Sequence, residues 1–384
     1  MKKIMMVAMS LAMVICSSCV QRGKVNTDPV SSSDTLSLSY AKGFMVRASE
    51  NGVKLVDVAD PQQDEDKMPV SYHFALVPRG MKAEVPEGYT KVEVPVERTI
   101  VMTMLQLSNF TALEAYDVVK GITGTKNLFN PDIHQRVEDG RIVKIGMEGN
   151  FDTELILAAH PEVIFISPFK RGGYDAIKET GITLVPHLGY KEAHPLGQAE
   201  WVKYVGLFIG KEAEADTLFE GIKKRYLALV EKVNTQLSTA NSQRPTVFSG
   251  EMHGGNWFAV GGKNHLAQMF RDAGAAYILK DDNTGGVPIE YEEMYAAAAK
   301  ADYWRILNSY PGEFSYEALK ASEPRNELFR AFREKHVIYC NMKQTPYYEE
   351  TPVHPDVVLE DLVAIFHPDL VPSDYQPRYY HLLP

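Results

Sequence analysis

Residues 196–237 read LGQAEWVKYVGLFIGKEAEADTLFEGIKKRYLALVEKVNTQL. Apolar side chains return every three or four positions: Trp201, Val202, Val205 and Phe208, then Ala215, Leu218, Phe219, Ile222, Tyr226, Leu229, Val230 and Val233. That period is helical. Gly206 and Gly210 mark a bend or a break, and Gln243-Arg244-Pro245 ends the run. The stretch is therefore two long helices or one bent one, enough to cross a whole lobe.

On both sides of it strands alternate with helices. Upstream, Ile100-Val101-Met102 reads as a short buried strand, and Ser108 to Tyr116 as a helix capped by Ser108 or Asn109. Asp152 or Thr153 caps a helix that Pro161 stops. Val163-Ile164-Phe165-Ile166 is a continuous apolar run, as in a parallel strand buried on both faces. A helix from Tyr174 and a strand at Thr183-Leu184-Val185 follow. Downstream, strands at Thr246-Val247-Phe248, Tyr277-Ile278, Tyr303 to Leu307 and Val337-Ile338-Tyr339 alternate with helices at 265–273, 292–299, 327–333 and 357–366. Such alternation predicts α/β sheets: an α/β lobe, a long helix, and a second α/β lobe.

The N-terminus carries its own signal. Lys2 and Lys3 precede an apolar run, Ile4 to Ile15, and then Cys16-Ser17-Ser18-Cys19. This is the order of a secretory signal, too short to span a bilayer. Small residues precede Cys19 and bulky Ile15 precedes Cys16, so Cys19 resembles the acylated cysteine of a lipobox; the alternative is plain secretion with cleavage near Ser18. The expected organisation is a signal peptide (1–18), a lipidated flexible tether (19–40, with Ser31-Ser32-Ser33-Asp34 inside), a β-rich lead-in of hairpin pattern (41–96), an N-terminal lobe (97–190), the linking helix (191–243) and a C-terminal lobe (244–384). Only Cys19 and Cys340 remain after cleavage. With Cys19 acylated no disulfide forms, and a packed core must supply stability. A net charge of −10 argues against nucleic acid, which wants a basic face.

Four segments then carry a resemblance. They are Val143-Lys144-Ile145-Gly146 through Asp152 to Ile164; Tyr204-Val205-Gly206-Leu207-Phe208-Ile209-Gly210-Lys211-Glu212-Ala213; Trp257 to Gly262 through Ala273-Gly274-Ala275; and Val353-His354-Pro355-Asp356 to His367-Pro368-Asp369. In their order and spacing they resemble the periplasmic binding proteins that serve ABC importers of iron–siderophores, haem and vitamin B12. The resemblance covers about residues 97–371 and implies two three-layer α/β lobes joined by a long rigid helix, with ligand between them. It implies no enzyme activity and no resident cofactor. The partners it implies are a small-molecule ligand, an importer permease and, through Cys19, a membrane. The chain is expected as a monomer on the periplasmic side, taking an iron complex (siderophore or haem). Cobalamin is the alternative within the family, and a chelatase-like enzyme acting on a tetrapyrrole is the alternative outside it.

Enzyme motifs are missing: there is no Gly-x-Ser-x-Gly elbow and no His-Glu-x-x-His. Gly261-Gly262-Lys263-Asn264 fails as a phosphate loop, because Trp257 stands where the first glycine belongs and Asn264 where Ser or Thr is needed. The eleven His are scattered, without the convergence a metal-capturing site needs. Cleft candidates come instead from segments following strands, where ligands bind in open α/β sheets. Lys170, Arg171 and Tyr174 follow one strand, and Arg171 could hold a carboxylate bidentately; the alternative is a solvated basic loop. Tyr190 follows the next. His253 and Trp257 lie in a Gly-rich segment, Trp257 as a stacking wall or else as core. Tyr310 follows a further strand and offers a phenolate for ferric iron. The resemblance further implies that Glu154 and Glu292 (or Glu293) meet importer arginines, the alternative being helix-start carboxylates favoured by the macrodipole.

Overall fold

The computed structural model describes residues 36–49, 52–62, 71–123, 128–147, 149–168, 174–240 and 243–384. The expected signal peptide, Cys19, most of the expected tether, and Lys170 and Arg171 lie outside the described residues.

A four-stranded sheet comes first: β1 (Phe44–Ala48), β2 (Lys54–Ala59), β3 (Ser71–Pro78) and β4 (Thr90–Val94), in that order. β1–β2 and β2–β3 are antiparallel. β4 runs parallel to β3, so the lead-in is not built of hairpins alone. One face alternates inward through Phe44, Val46, Val56, Val58, Phe74 and Leu76, and these join the same core as the following lobe.

The N-terminal lobe contains β5 (Thr99–Val101), α1 (Met104–Ala112), β6 (Val119–Ile122), α2 (Pro131–Glu138), β7 (Val143–Lys144), the short pair β8 (Gly146–Met147) and β9 (Asn150–Phe151), α3 (Thr153–Ala158), β10 (Val163–Ile166), α4 (Tyr174–Lys178) and β11 (Thr183–Pro186). Its sheet has the order β11-β10-β5-β6-β7, all parallel. The uninterrupted apolar run of β10 is explained by two buried faces. Val163 and Phe165 pack into the main core, while Ile164 and Ile166 pack with Ile156 of α3 and Ile177 of α4. α1 begins four residues earlier than expected. Thr103 is its cap, with Oγ1 accepting from Gln106 N at 3.3 Å, and Ser108 and Asn109 lie inside the helix, buried.

The long helical run divides into α5 (Pro195–Ile209) and α6 (Glu212–Ala240). The break is Gly210, left-handed at φ +70°, which receives the helix end at low steric cost. At 1.5 Å per residue the 29 residues of α6 extend about 43 Å. Its seam is Ala215, Phe219, Ile222, Tyr226 and Val233, each buried.

The C-terminal lobe contains β12 (Thr246–Ser249), β13 (Glu251–His253), β14 (Asn256–Val260), α7 (His265–Asp272), β15 (Ala276–Tyr277), β16 (Gly286–Ile289), α8 (Tyr291–Ala298), β17 (Tyr303–Asn308), α9 (Tyr316–Ser322), α10 (Arg330–Arg333), β18 (Val337–Asn341), α11 (Tyr347–Glu350), α12 (Pro355–Phe366) and β19 (His381–Leu382). The main sheet has the order β15-β12-β17-β18-β19, parallel except for β19. A second, antiparallel sheet has the order β13-β14-β16. The main sheet too has two buried faces: Phe248, Trp304, Ile306 and Tyr339 enter one core, Val247, Ile338 and Cys340 the other. Two α/β lobes and the long helix between their sequences are thus in place.

The lead-in is fastened by an arrangement absent from the sequence reading. Five consecutive backbone N–H groups, Ser39 to Gly43, donate to two carboxylates. Glu200 receives Ser39, Tyr40 and Ala41 at 2.8–3.1 Å. Glu192 receives Lys42, Gly43 and the Trp201 indole, each at 2.9 Å. Gly43 is required there, since a Cβ would come within 2.6 Å of the Trp201 ring.

Candidate functional site

The carboxyl ends of the two parallel sheets supply the candidate walls. Among the described residues of the N-terminal lobe, uncharged groups stand at these ends. Gln106 Oε1 accepts from Met102 N at 2.9 Å, and its Nε2 donates to Ser167 Oγ at 3.2 Å. His187, just after β11, is 4% exposed. Its ring lies 4.7 Å from that of Trp201, with Asn109 Nδ2 at 3.4 Å from Nε2. Burial lowers its pKa to about 3, so the imidazole is neutral. Tyr174 is buried, stacked on Phe151, and its hydroxyl accepts from Ser167 N at 3.4 Å. Tyr190 is half-buried in a short turn after β11, and burial raises its phenol to about 12.

The C-terminal wall is richer in ionisable groups. Glu251 leads β13; burial pushes its carboxyl up, against a bond from Asn308 Nδ2 at 3.2 Å. Asn308 Oδ1 accepts from Tyr339 OH at 2.9 Å. Arg305, in mid-β17, is 6% exposed. Burial alone would lower its pKa, but the phenols of Tyr380 and Tyr347 outweigh that and raise it. Tyr348 on α11 keeps 44% of its surface open, and desolvation raises its phenol.

The lobes meet where α11 packs on α1. Glu349 is 6% exposed there, and its two oxygens accept from Phe129 N at 2.8 Å and Asn130 N at 2.9 Å, just ahead of α2. A space of about 140 Å³ beside it is lined by Ser108, Thr111, Asn130, Glu350 and His354, among others. A larger recess, about 760 Å³, lies along edge strand β15 between Arg244, Arg271 and Lys280; no residue of the N-terminal lobe lines it.

The sequence-predicted residues fall into three groups. Tyr174, Tyr190 and Tyr310 follow strands as expected, Tyr310 half-buried with its ring 5.0 Å from Phe314. His253 is exposed at the turn joining β13 and β14. Trp257 requires a correction. It is fully buried, packed on Phe248, Trp304 and Phe329, with its indole donating to Ser249 O at 2.9 Å. It is a core side chain, because β14 alternates and Trp257 takes the inward position while Phe258 faces out. Glu154 is exposed in the first turn of α3. Glu292 is exposed in the first turn of α8 and pairs with Arg325 at 3.1 Å. Arg305, Tyr347, Tyr348 and Glu349 were missed, whereas Glu251 heads the Gly-rich candidate segment that holds His253 and Trp257. The available signal was Arg305 itself, a lone cation inside the apolar run Tyr303 to Leu307. Among the described residues, no three His, Cys, Asp or Glu are grouped to hold a metal ion.

Comparison with known proteins adds the following. The family model described as "Periplasmic binding protein" matches residues 104–343. An uncharacterized lipoprotein of Methanocaldococcus jannaschii is 29% identical over 409 aligned positions, covering 96% of this chain and 94% of the relative. A periplasmic haem-binding protein from Pseudomonas aeruginosa superposes with a TM-score of 0.59 at 18% identity, over 75% of this chain and 98% of that one. An ABC-type Fe3+-hydroxamate transport protein from Saccharomonospora viridis superposes with a TM-score of 0.54 at 16% identity, over 71% and 94%. At such identities the two structures establish likeness of fold.

Proposed function

The chain belongs to the periplasmic binding protein family, and from that premise we propose that it is a lipid-anchored receptor that takes an iron complex, a siderophore or haem, between its lobes and passes it to an ABC importer. Members of this family are substrate-binding proteins of ABC transporters, not enzymes. The observation that carries the reading is the meeting of the lobes at α1 and α11, with two parallel sheets of the kind that bind ligands at their carboxyl ends. Tyr190, Tyr310 and Tyr348 supply phenols on segments that follow strands of the two sheets. Solved relatives described as haem-binding or as Fe3+-hydroxamate transport proteins support iron as the cargo.

Anchoring is proposed through Cys19, supported by the lipoprotein relative, with the body a monomer on the periplasmic side. Lys170 and Arg171 complete the ligand loop in this reading, and Glu154 and Glu292 meet the importer. The test is native mass spectrometry and absorbance of the purified protein. Bound iron or a haem Soret band is expected; corrin absorbance would replace the iron reading by cobalamin. In cells, Cys19→Ala should move the protein from the membrane to the soluble fraction, and retention in the membrane would remove the anchor.

A further inference from the structure

Arg305 lies almost wholly buried in the centre of the C-terminal sheet, at 6% exposure. Among the described residues no carboxylate is within ion-pairing distance of it. Its Nε donates to Tyr380 OH at 2.8 Å, Nη2 donates to the same oxygen, and the guanidinium lies 5.2 Å from the Tyr380 ring centre. A buried cation without a counter-charge is costly, so its surroundings should either neutralise it or lead its charge somewhere useful.

The hydrogen bonds lead it outward. A guanidinium only donates, so the Tyr380 oxygen must accept. The Tyr380 proton then goes to the Tyr347 oxygen, 2.9 Å away. Tyr347 accepts in turn, which leaves its own proton to donate; among the described residues nothing accepts it. Tyr347 is half-buried on α11, beside the partly open Tyr348, at the boundary with α1. A relay of fixed polarity thus runs from a buried positive charge to the lobe boundary and ends in a polarised donor.

We propose that this relay selects a ligand bearing an anionic group, seated against Tyr347, with Arg305 as the positioning residue that sets the polarity. The proposal rests on the reading that ligand binds between the lobes, and it names the ligand's charge rather than its metal.

The test uses the full-length chain in detergent and two ferric chelates, an anionic tricatecholate and a neutral trihydroxamate, followed by quenching of tryptophan fluorescence. Citrate without iron is the third probe, read as a rise in melting temperature. Wild type should prefer the anionic chelate, and Tyr347→Phe should cut that preference by about ten-fold or more, the range of one charge-assisted hydrogen bond. Arg305→Met should do the same; if it does not fold, Tyr347→Phe decides alone. Equal affinity for both chelates, or a preference unchanged in Tyr347→Phe, overturns the inference and leaves the iron reading standing. If neither chelate binds but citrate stabilises wild type and not Tyr347→Phe, the siderophore reading falls and the anion inference stands. If no probe binds, both fall.

Discussion

Replacing Glu349 by Ala removes a carboxylate that ties the loop ahead of α2 to α11. Its two bonds, at 2.8 and 2.9 Å, come from backbone N–H groups of the other lobe. Hydrogen bonds to a charged partner contribute about 1.5–3 kcal/mol each, or roughly 3–6 kcal/mol together. Against this stands the desolvation that raises the Glu349 pKa, so the expected net loss is about 2–4 kcal/mol. The loss should be local before it is global. Hydrogen exchange followed by mass spectrometry should show faster exchange at Phe129 and Asn130, with α3 and α8 unchanged. Glu349→Gln keeps one acceptor and should lie between wild type and Ala. Ligand affinity should weaken in the same order, since a looser boundary must be re-ordered on binding. Unchanged exchange at Phe129 and Asn130 in Glu349→Ala would refute the strut, whatever happens to overall stability.

Three further outcomes are expected. His187 is neutral in the fold, with a pKa of about 3 against an ordinary 6.5. Its stabilisation is therefore complete above pH 6.5 and lost as pH falls toward 3, at roughly 1.4 kcal/mol per pH unit. Buried carboxyls with raised pKa values, Glu192 and Asp361 among them, run the other way, so the readout is the slope difference between wild type and His187→Asn in urea titrations from pH 7 to 5; equal slopes would count against a buried neutral His187. Glu200→Ala orphans three backbone donors and should cost about 3–5 kcal/mol, seen in denaturant midpoints; a loss under 1 kcal/mol would show that the segment 39–41 is held otherwise. A Glu154→Ala/Glu292→Ala double variant should keep its ligand dissociation constant within a few-fold and lose transport in reconstituted vesicles; normal transport leaves both as helix-start carboxylates, and for Glu292 as the exposed partner of Arg325, worth little.

Most of the frame was readable because its strands are continuous apolar runs and its helices are long enough to show a period. β10 is buried on both faces, so every residue is constrained toward apolar side chains, and β17 keeps the run except at Arg305 and Asn308. α1 was misplaced because Met104-Leu105-Gln106-Leu107 reads equally well as strand continuation, and only the Thr103 cap geometry decides. α11 has four residues, too few for any period, yet it carries Tyr347, Tyr348 and Glu349. Trp257 was placed by residue type, whereas its face was set by β14 alternation. The relay through Arg305 and Tyr380 joins positions 75 residues apart, and such pairings arise from sheet register, which a single sequence does not display.

The clasp on Ser39 to Gly43 also has a mechanical meaning. Any pull that arrives along the chain from its N-terminal side meets these residues before it meets the sheet. The load is shared by five amides on two carboxylates. Glu200 sits on α5 and is itself held by Lys203, which also grips Asp216 on α6. Force therefore passes first into the helix pair and the core of the first lobe. On that helix pair α12 of the second lobe also packs, so the second lobe hangs from the same helices that take the load.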